Sequence, residues 1–249
     1  MSTARAALVT GGSSGIGLAI ARTLGAAGYD VTLASRRPDR LEQAAHGLRE
    51  EGYRVATSAG DLGDEAAVVA AVETHRAAYG RLDVLVNNAG VGIGQFADDL
   101  TTKAIDIQLN TNLRSIFLFY REALPMLREA GGEHRNALVI NVSSASGIHG
   151  ERWLGVYSAT KRGLVGFTQA MNRELNDAGI KSTALCPAFV DTPMASFVKD
   201  EIGADKMISV DDVAGSVRYL LTLSPGCLIP EIQFEQTIGA IGPTFDRTG

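Results

Sequence analysis

The chain has 249 residues, of which 45% are hydrophobic and 20% charged, with a formal net charge of -5. That is long enough for one large α/β domain or two small ones, too apolar for intrinsic disorder, and too acidic to hold nucleic acid through clustered positive charge. Cys186 and Cys227 form no CxxC pair, and His46, His75, His134 and His149 show no HxxxH spacing, so neither a disulfide framework nor a metal site is expected. The N-terminus lacks a signal-peptide layout, and no apolar run approaches the roughly 18 residues of a membrane span. The expectation is a soluble protein of a reducing cytoplasm, with no membrane or nucleic-acid partner.

Short apolar runs alternate with helix-period segments. A first strand over Ala6 to Thr10 runs into Thr10-Gly11-Gly12-Ser13-Ser14-Gly15-Ile16-Gly17, which opens a helix over Gly15 to Ala27. Glycines let the backbone turn sharply and approach a pyrophosphate, while the helix start offers free N–H groups to it. The spacing is GxxxGxG rather than GxGxxG, and a plain glycine-rich turn is the alternative. A second strand, Asp30 to Ala34, ends on Ser35, Arg36 and Arg37, where NAD binders usually place an acid for the ribose hydroxyls. Two arginines before a helix at Pro38 to Glu51 oppose its dipole and suit an anion, which favours the 2′-phosphate of NADP over NAD. A solvated surface pair is the alternative.

A third strand, Arg54 to Ser58, leads to Asp61-Leu62, placed to touch an adenine, and to a helix over Asp64 to Tyr79. The fourth, Leu82 to Val86, leads to Asn87-Asn88-Ala89-Gly90, small enough to pass under a cofactor or to form a simple turn. One long helix is expected over Lys103 to Glu129, kinked near its end by Pro125, with Asn112 a poor helix former in its middle. The fifth strand, Ala137 to Val142, ends on Ser143 and Ser144, whose hydroxyls can donate to a carbonyl or serve as turn formers.

A helix over Tyr157 to Asn176 then starts with Tyr157-Ser158-Ala159-Thr160-Lys161, which sets tyrosine and lysine at i and i+4 on one face. Lowering a phenol from near 10 to roughly 7 takes about 4 kcal/mol. An ammonium about 4 Å away at an effective dielectric near 20 supplies about that. The helix start lies at the carboxyl edge of the sheet, where such folds bind ligands. A sixth strand (Ser182 to Cys186), a long segment over Val190 to Ser209 read as a lid, a helix over Val210 to Leu223 and a weak seventh strand (Glu231 to Phe234) complete the pattern. Runs apolar at successive positions read as strands covered on both faces. The fold class is therefore α/β: a doubly wound, mostly or wholly parallel seven-stranded sheet in a single domain over 1–249, with a tail over 236–249.

Together, TGGSSGIG at 10–17, NNAG at 87–90, Asn112, the serine pair at 143–144 and YSATK at 157–161, in this order, resemble the short-chain dehydrogenase/reductase family over nearly the whole chain. The resemblance implies a Rossmann-like domain in which Tyr157 is the general acid/base. Lys161 would lower its pKa and hold the nicotinamide ribose. Ser144, thirteen residues before Tyr157, would orient the substrate, and Asn112 would bend its helix and hold a water in a proton relay. Pro187-Ala188-Phe189-Val190-Asp191-Thr192 resembles the family's PG-x-V-x-T stretch, with Ala188 in place of glycine; Val190 backbone and Thr192 would meet the nicotinamide carboxamide. The implied cofactor set is Gly11, Ser13, Ser14, Gly15, Ile16, Gly17, Ser35, Arg36, Arg37, Asp61, Leu62, Asn88, Ala89, Gly90, Tyr157, Lys161, Pro187, Val190 and Thr192, with NADP(H) preferred.

The implied reaction moves a hydride between NADP(H) and a carbonyl or secondary-alcohol carbon. Substrate contacts are expected from Ser144, Ser146, His149, Trp153, Met194 and Phe197, a mostly apolar set. Two alternatives are a 3-oxoacyl-[acyl-carrier-protein] reductase and a catalytically silent NADP-binding regulatory protein. A sugar-nucleotide epimerase is disfavoured, because the chain leaves no room for a second domain. A homo-oligomer, dimer or tetramer, is expected through the two long helices, with Leu113, Phe117, Tyr120, Leu164 and Phe167 supplying apolar area.

Overall fold

The computed structural model describes residues 4–237; of the expected tail, residues 238–249 lie outside the described residues. Seven strands, β1 (Ala6–Thr10), β2 (Asp30–Ser35), β3 (Val55–Ala59), β4 (Val84–Asn87), β5 (Ala137–Val142), β6 (Ile180–Pro187) and β7 (Glu231–Phe234), make one sheet in the order β3-β2-β1-β4-β5-β6-β7. Every pairing is parallel. The five inner strands β1, β2, β4, β5 and β6 are buried at every position, as helices on both faces require.

Successive residues of a strand serve opposite cores. Val9, Leu33 and Ile140 pack with Ile20 and Leu24 of α1 (Gly15–Ala26), Leu41 of α2 (Pro38–Glu50) and Val213 and Val217 of an eighth helix, Val210–Leu221. Leu8, Leu85 and Val139 pack instead with Val68 and Val72 of α3 (Glu65–Tyr79) and with Phe119, Leu127 and Leu164. The sheet order reverses between β1 and β4, so the loops leaving these two strands part and open a crevice at their carboxyl ends.

Three elements differ from the reading of the sequence. The expected helix over Lys103 to Glu129 is two helices, α4 (Thr102–Leu109) and α5 (Ser115–His134), joined by a π turn over Asn110–Arg114. The helix runs on through Pro125, which lies on the exposed face, where the carbonyl its missing N–H leaves free is open to water. Strand β6 starts earlier than expected, because the ammonium of the buried Lys181 is met by the carbonyls of Ser224 and Cys227 at 3.0 and 2.9 Å. The lid over 190–209 is not a plain loop. It holds 3₁₀ turns, the short α7 (Lys199–Ile202) and its own apolar cluster of Ala195, Val198, Ile202 and Met207, tied down by a bridge between Val190 and Ile208.

Candidate active site

The crevice is built from the ends of β1 and β4. The Thr10 hydroxyl accepts from Asn88 and Ala89 backbone N–H at 2.9 and 3.0 Å and donates to the Val86 carbonyl at 3.2 Å. The Asn88 amide donates to the Thr10 and Gly11 carbonyls, locking the two loops together. This fit fixes two glycines. At Gly11 (φ +64) a Cβ would stand 2.7 Å from Asn88 Nδ2, and at Gly17 it would meet the same amide and the Gly11 carbonyl. The start of α1 is left open: Ser14 is extended and makes no side-chain cap, so the first N–H groups of the helix are not taken by a side chain of the cap residue.

The crevice holds a cavity of about 520 Å³ lined by Gly11, Ser13, Ser35, Arg36, Arg37, Asp61, Leu62, Ala89, Gly90 and Val91, among others. It thus gathers nine of the residues expected for the cofactor. Gly17 and Asn88 lie beneath it as packing. Gly15 and Thr192 meet each other, a Cβ on Gly15 falling 3.1 Å from the Thr192 methyl, so the start of the lid reaches the glycine turn. Ile16 packs on the core, Pro187 is held in the β6–β7 ladder and Val190 is buried at the lid bridge. The Ser35 hydroxyl is buried with no hydrogen-bond partner among the described residues, and no ion pair or hydrogen bond among them engages the side chain of Arg36 or Arg37.

Further along the carboxyl edge, the ends of β5 and the start of α6 (Gly155–Leu175) bring Ser144, Tyr157 and Lys161 together. Burial pushes the Tyr157 phenol up, and the Ser144 hydroxyl beside it pulls it back. Ser146 N–H donates to Ser144 Oγ at 3.2 Å, which positions it. Lys161 is 4% exposed and donates from Nζ to the Val142 carbonyl at 2.8 Å, and burial pulls it down to about 8. Its Nζ lies 5.6 Å from the centre of the Tyr157 ring. In the chain by itself the buried ammonium takes a backbone carbonyl, and Ser144 is the hydroxyl beside the phenol. Ser143 is not interchangeable with Ser144, since its hydroxyl donates to the Lys161 carbonyl at 2.9 Å and fixes the helix to the strand end.

Asn112 sits fully buried in the π turn. Its Oδ1 accepts from Val91 N–H at 2.8 Å, and its Nδ2 donates to the Val91 carbonyl at 2.9 Å and to Thr160 Oγ1 at 3.2 Å. The side chain is a latch between the loop after β4 and the reactive helix. A Cβ on Gly90 would lie 3.4 Å from both Asn112 Oδ1 and Lys161 Nζ, so the loop passes close between the latch and the ammonium. Gln108, one helical turn earlier, holds Ile93 N–H at 3.2 Å. Sequence reasoning missed Gln108, although its i−4 spacing from Asn112 was the available signal. It also missed the buried chain in which Asn87 donates to Asn141, and Asn141 to Tyr120 and Thr168. Of the expected substrate contacts, Trp153 meets Phe197 of the lid with ring centres 6.3 Å apart, Met194 and Phe197 are exposed, and His149 is exposed at the end of a turn.

A family model described as short chain dehydrogenase matches residues 5–203. A Streptomyces virginiae protein named as a ketoacyl reductase of the monensin polyketide synthase is 42% identical over 205 residues, covering 82% of this chain and 77% of that protein. A variant of the actinorhodin polyketide ketoreductase, solved with NADPH, superposes with a TM-score of 0.84 at 32% identity over 94% of this chain and 97% of its own. A 3-ketoacyl-(acyl-carrier-protein) reductase from Brucella melitensis, solved with NADH, gives 0.81 at 28% identity over 92% and 96%. The chain belongs to the short chain dehydrogenase family and is an oxidoreductase. Among the described residues no group of three or more His, Cys, Asp or Glu could hold a metal ion, and no helix is long and apolar enough to cross a membrane.

Proposed function

We propose that the chain works as a single domain that reduces the carbonyl of a mainly apolar small molecule at the expense of NADPH, with Tyr157 as the proton donor. The observation that carries the reading is the meeting of Ser144, Tyr157 and Lys161 at the carboxyl edge of the sheet, with Lys161 Nζ 5.6 Å from the centre of the Tyr157 ring and close to Gly90 of the crevice. The cavity suits a phosphorylated dinucleotide: the open start of α1 fits a pyrophosphate, and the orphaned Ser35 hydroxyl beside two disengaged arginines fits the 2′-phosphate. Ser13, Ser14, Asp61, Leu62, Val190 and Thr192 would complete that site, with Lys161 turned to the ribose hydroxyls.

NADPH, when bound, supplies the hydride that the carbonyl carbon accepts. The chain supplies the rest. Ser144 Oγ and Tyr157 Oη form a two-donor site for the carbonyl oxygen, stabilising the negative charge that develops there. Tyr157 gives its phenolic proton to that oxygen, so the product is the secondary alcohol. Lys161, charged below about pH 8, faces the phenolate left behind. Asn112 holds Val91 and the helix in register while this occurs.

The test is initial-rate kinetics with both dinucleotides. NADPH is expected to give the higher kcat/KM, and Arg36→Ala and Arg37→Ala each to lower that preference about tenfold, the scale of a charge-assisted bond partly screened by solvent. Equal or better use of NADH by the wild type contradicts the cofactor assignment. A narrower reading, reduction of a 3-oxoacyl thioester, is favoured by the names of the relatives. Acetoacetyl-N-acetylcysteamine reduced faster than any simple ketone would select it.

A further inference from the structure

The segment 91–96, on leaving the cradle, is fastened residue by residue. Val91 is latched to Asn112, Gly92 lies where a Cβ would stand 3.8 Å from the Tyr157 ring, and Ile93 N–H is held by Gln108. Gly94 lies beneath the Trp153 indole: a Cβ there would run into Cδ2, Cε2 and Cε3 together, so the glycine faces the plane of the ring rather than its rim. Gln95 N–H then donates to the Trp153 carbonyl at 2.8 Å. Trp153 holds φ +68, a left-handed conformation that bulky side chains rarely adopt and that persists only where the surroundings over-determine it. Beyond it, the Phe197 ring meets the indole at a T-shaped angle, 59% exposed. Trp153 belongs to none of the buried clusters of the described residues, so core packing does not account for its strained placement.

We infer that Trp153 is a specificity-determining residue: its half-exposed indole, seated on Gly94 two residues beyond the Gly92 contact with Tyr157, selects ketones whose carbonyl is attached to a flat aromatic ring system. A fixed aromatic surface gains offset stacking with such an acceptor, and only area burial with a saturated one of equal size. The inference rests on the reading of Tyr157 as the proton donor to a ketone.

The test pairs 2-acetylnaphthalene with its saturated counterpart, 2-acetyldecalin. Trp153→Leu is expected to raise the ratio of KM for the aryl over the saturated ketone about five- to tenfold, leaving the ratio of kcat values unmoved. Trp153→Phe should recover most of the discrimination, and Gly94→Ala, which unseats the indole, should repeat the loss. An unchanged KM ratio in Trp153→Leu overturns the inference. Trp153 is also the only tryptophan of the chain, so its fluorescence lifetime reports on stacking without turnover. Saturable shortening by 2-acetylnaphthalene in the NADP⁺-loaded wild type supports the inference, and an unaltered lifetime overturns it. If NADPH is consumed with other ketones while neither signal appears, the inference fails and the reductase reading stands. If the lifetime responds and no carbonyl is reduced, the reductase reading fails and takes the selection among ketones with it, while the stacking of aromatic rings on Trp153 remains.

Discussion

Tyr157 and Lys161 face opposite demands from the same burial. A phenol that must give up a proton is pushed up by burial, and an ammonium that must stay charged is pulled down to about 8. Lys161 is therefore charged below about pH 8 and neutral above it. The kcat/KM for NADPH-dependent reduction should hold steady below neutrality and fall as pH rises through about 8, because that ratio reports groups of the free enzyme. A profile flat to pH 9.5 would contradict the role given to Lys161. The i, i+4 spacing made the shared face of Tyr157 and Lys161 legible in the sequence. The partner of the ammonium was not, because the Val142 carbonyl is a backbone group that a residue pattern does not display. The roles of Ser143 and Ser144 separate for a similar reason, since one meets the Lys161 carbonyl and the other the phenol.

Among the elements, the strands were the most legible, because a doubly covered strand is apolar at successive positions. The break between α4 and α5 was not: Asn112 read only as a poor helix former, whereas it terminates regular turns by binding Val91 from both ends of its amide. Asn112→Ala should release that loop and lower kcat about 100-fold, as small misplacements of reacting groups do, with far-UV circular dichroism unchanged. Wild-type turnover in this variant would show that the latch is dispensable. A second link joins β2 to the turn before β4. His75 is buried, its Nδ1 2.8 Å from the Thr32 hydroxyl and its Nε2 2.8 Å from the Arg81 carbonyl. Burial lowers it from 6.5 to about 4. The unfolded chain then binds the proton more readily, so this contribution to stability is complete above about pH 6.5 and is lost as pH falls toward 4. Between pH 7.5 and pH 5 the loss should be about 2 kcal/mol. Urea denaturation should show a shallower dependence over that range in His75→Gln; an equal slope would remove His75 as its source.

At the scale of the whole molecule, the sequence displayed the sheet, the cradle and the reactive helix in chain order. It did not display which apolar residues remain at the surface. Tyr120 and Leu164, expected at an interface between chains, are buried in the core at 4% and 0% exposure. Phe117 is 41% exposed, 4.6 Å from Phe167, and Leu113 is half-buried beside them. We expect these three to carry the association of α5 and α6 with a second copy. Light scattering at micromolar concentration should give a multiple of the chain mass, and Phe117→Asp should shift it to the monomer; a monomeric wild type would contradict this. The account as a whole depends on a phenol that delivers a proton to a ketone oxygen. The most direct test is NADPH oxidation by Tyr157→Phe with a ketone the wild type reduces, alongside NADPH binding by calorimetry. The predicted result is a kcat lower by about 10²- to 10⁴-fold with NADPH affinity retained. Turnover near the wild-type rate, in a variant that binds NADPH as tightly, would contradict it.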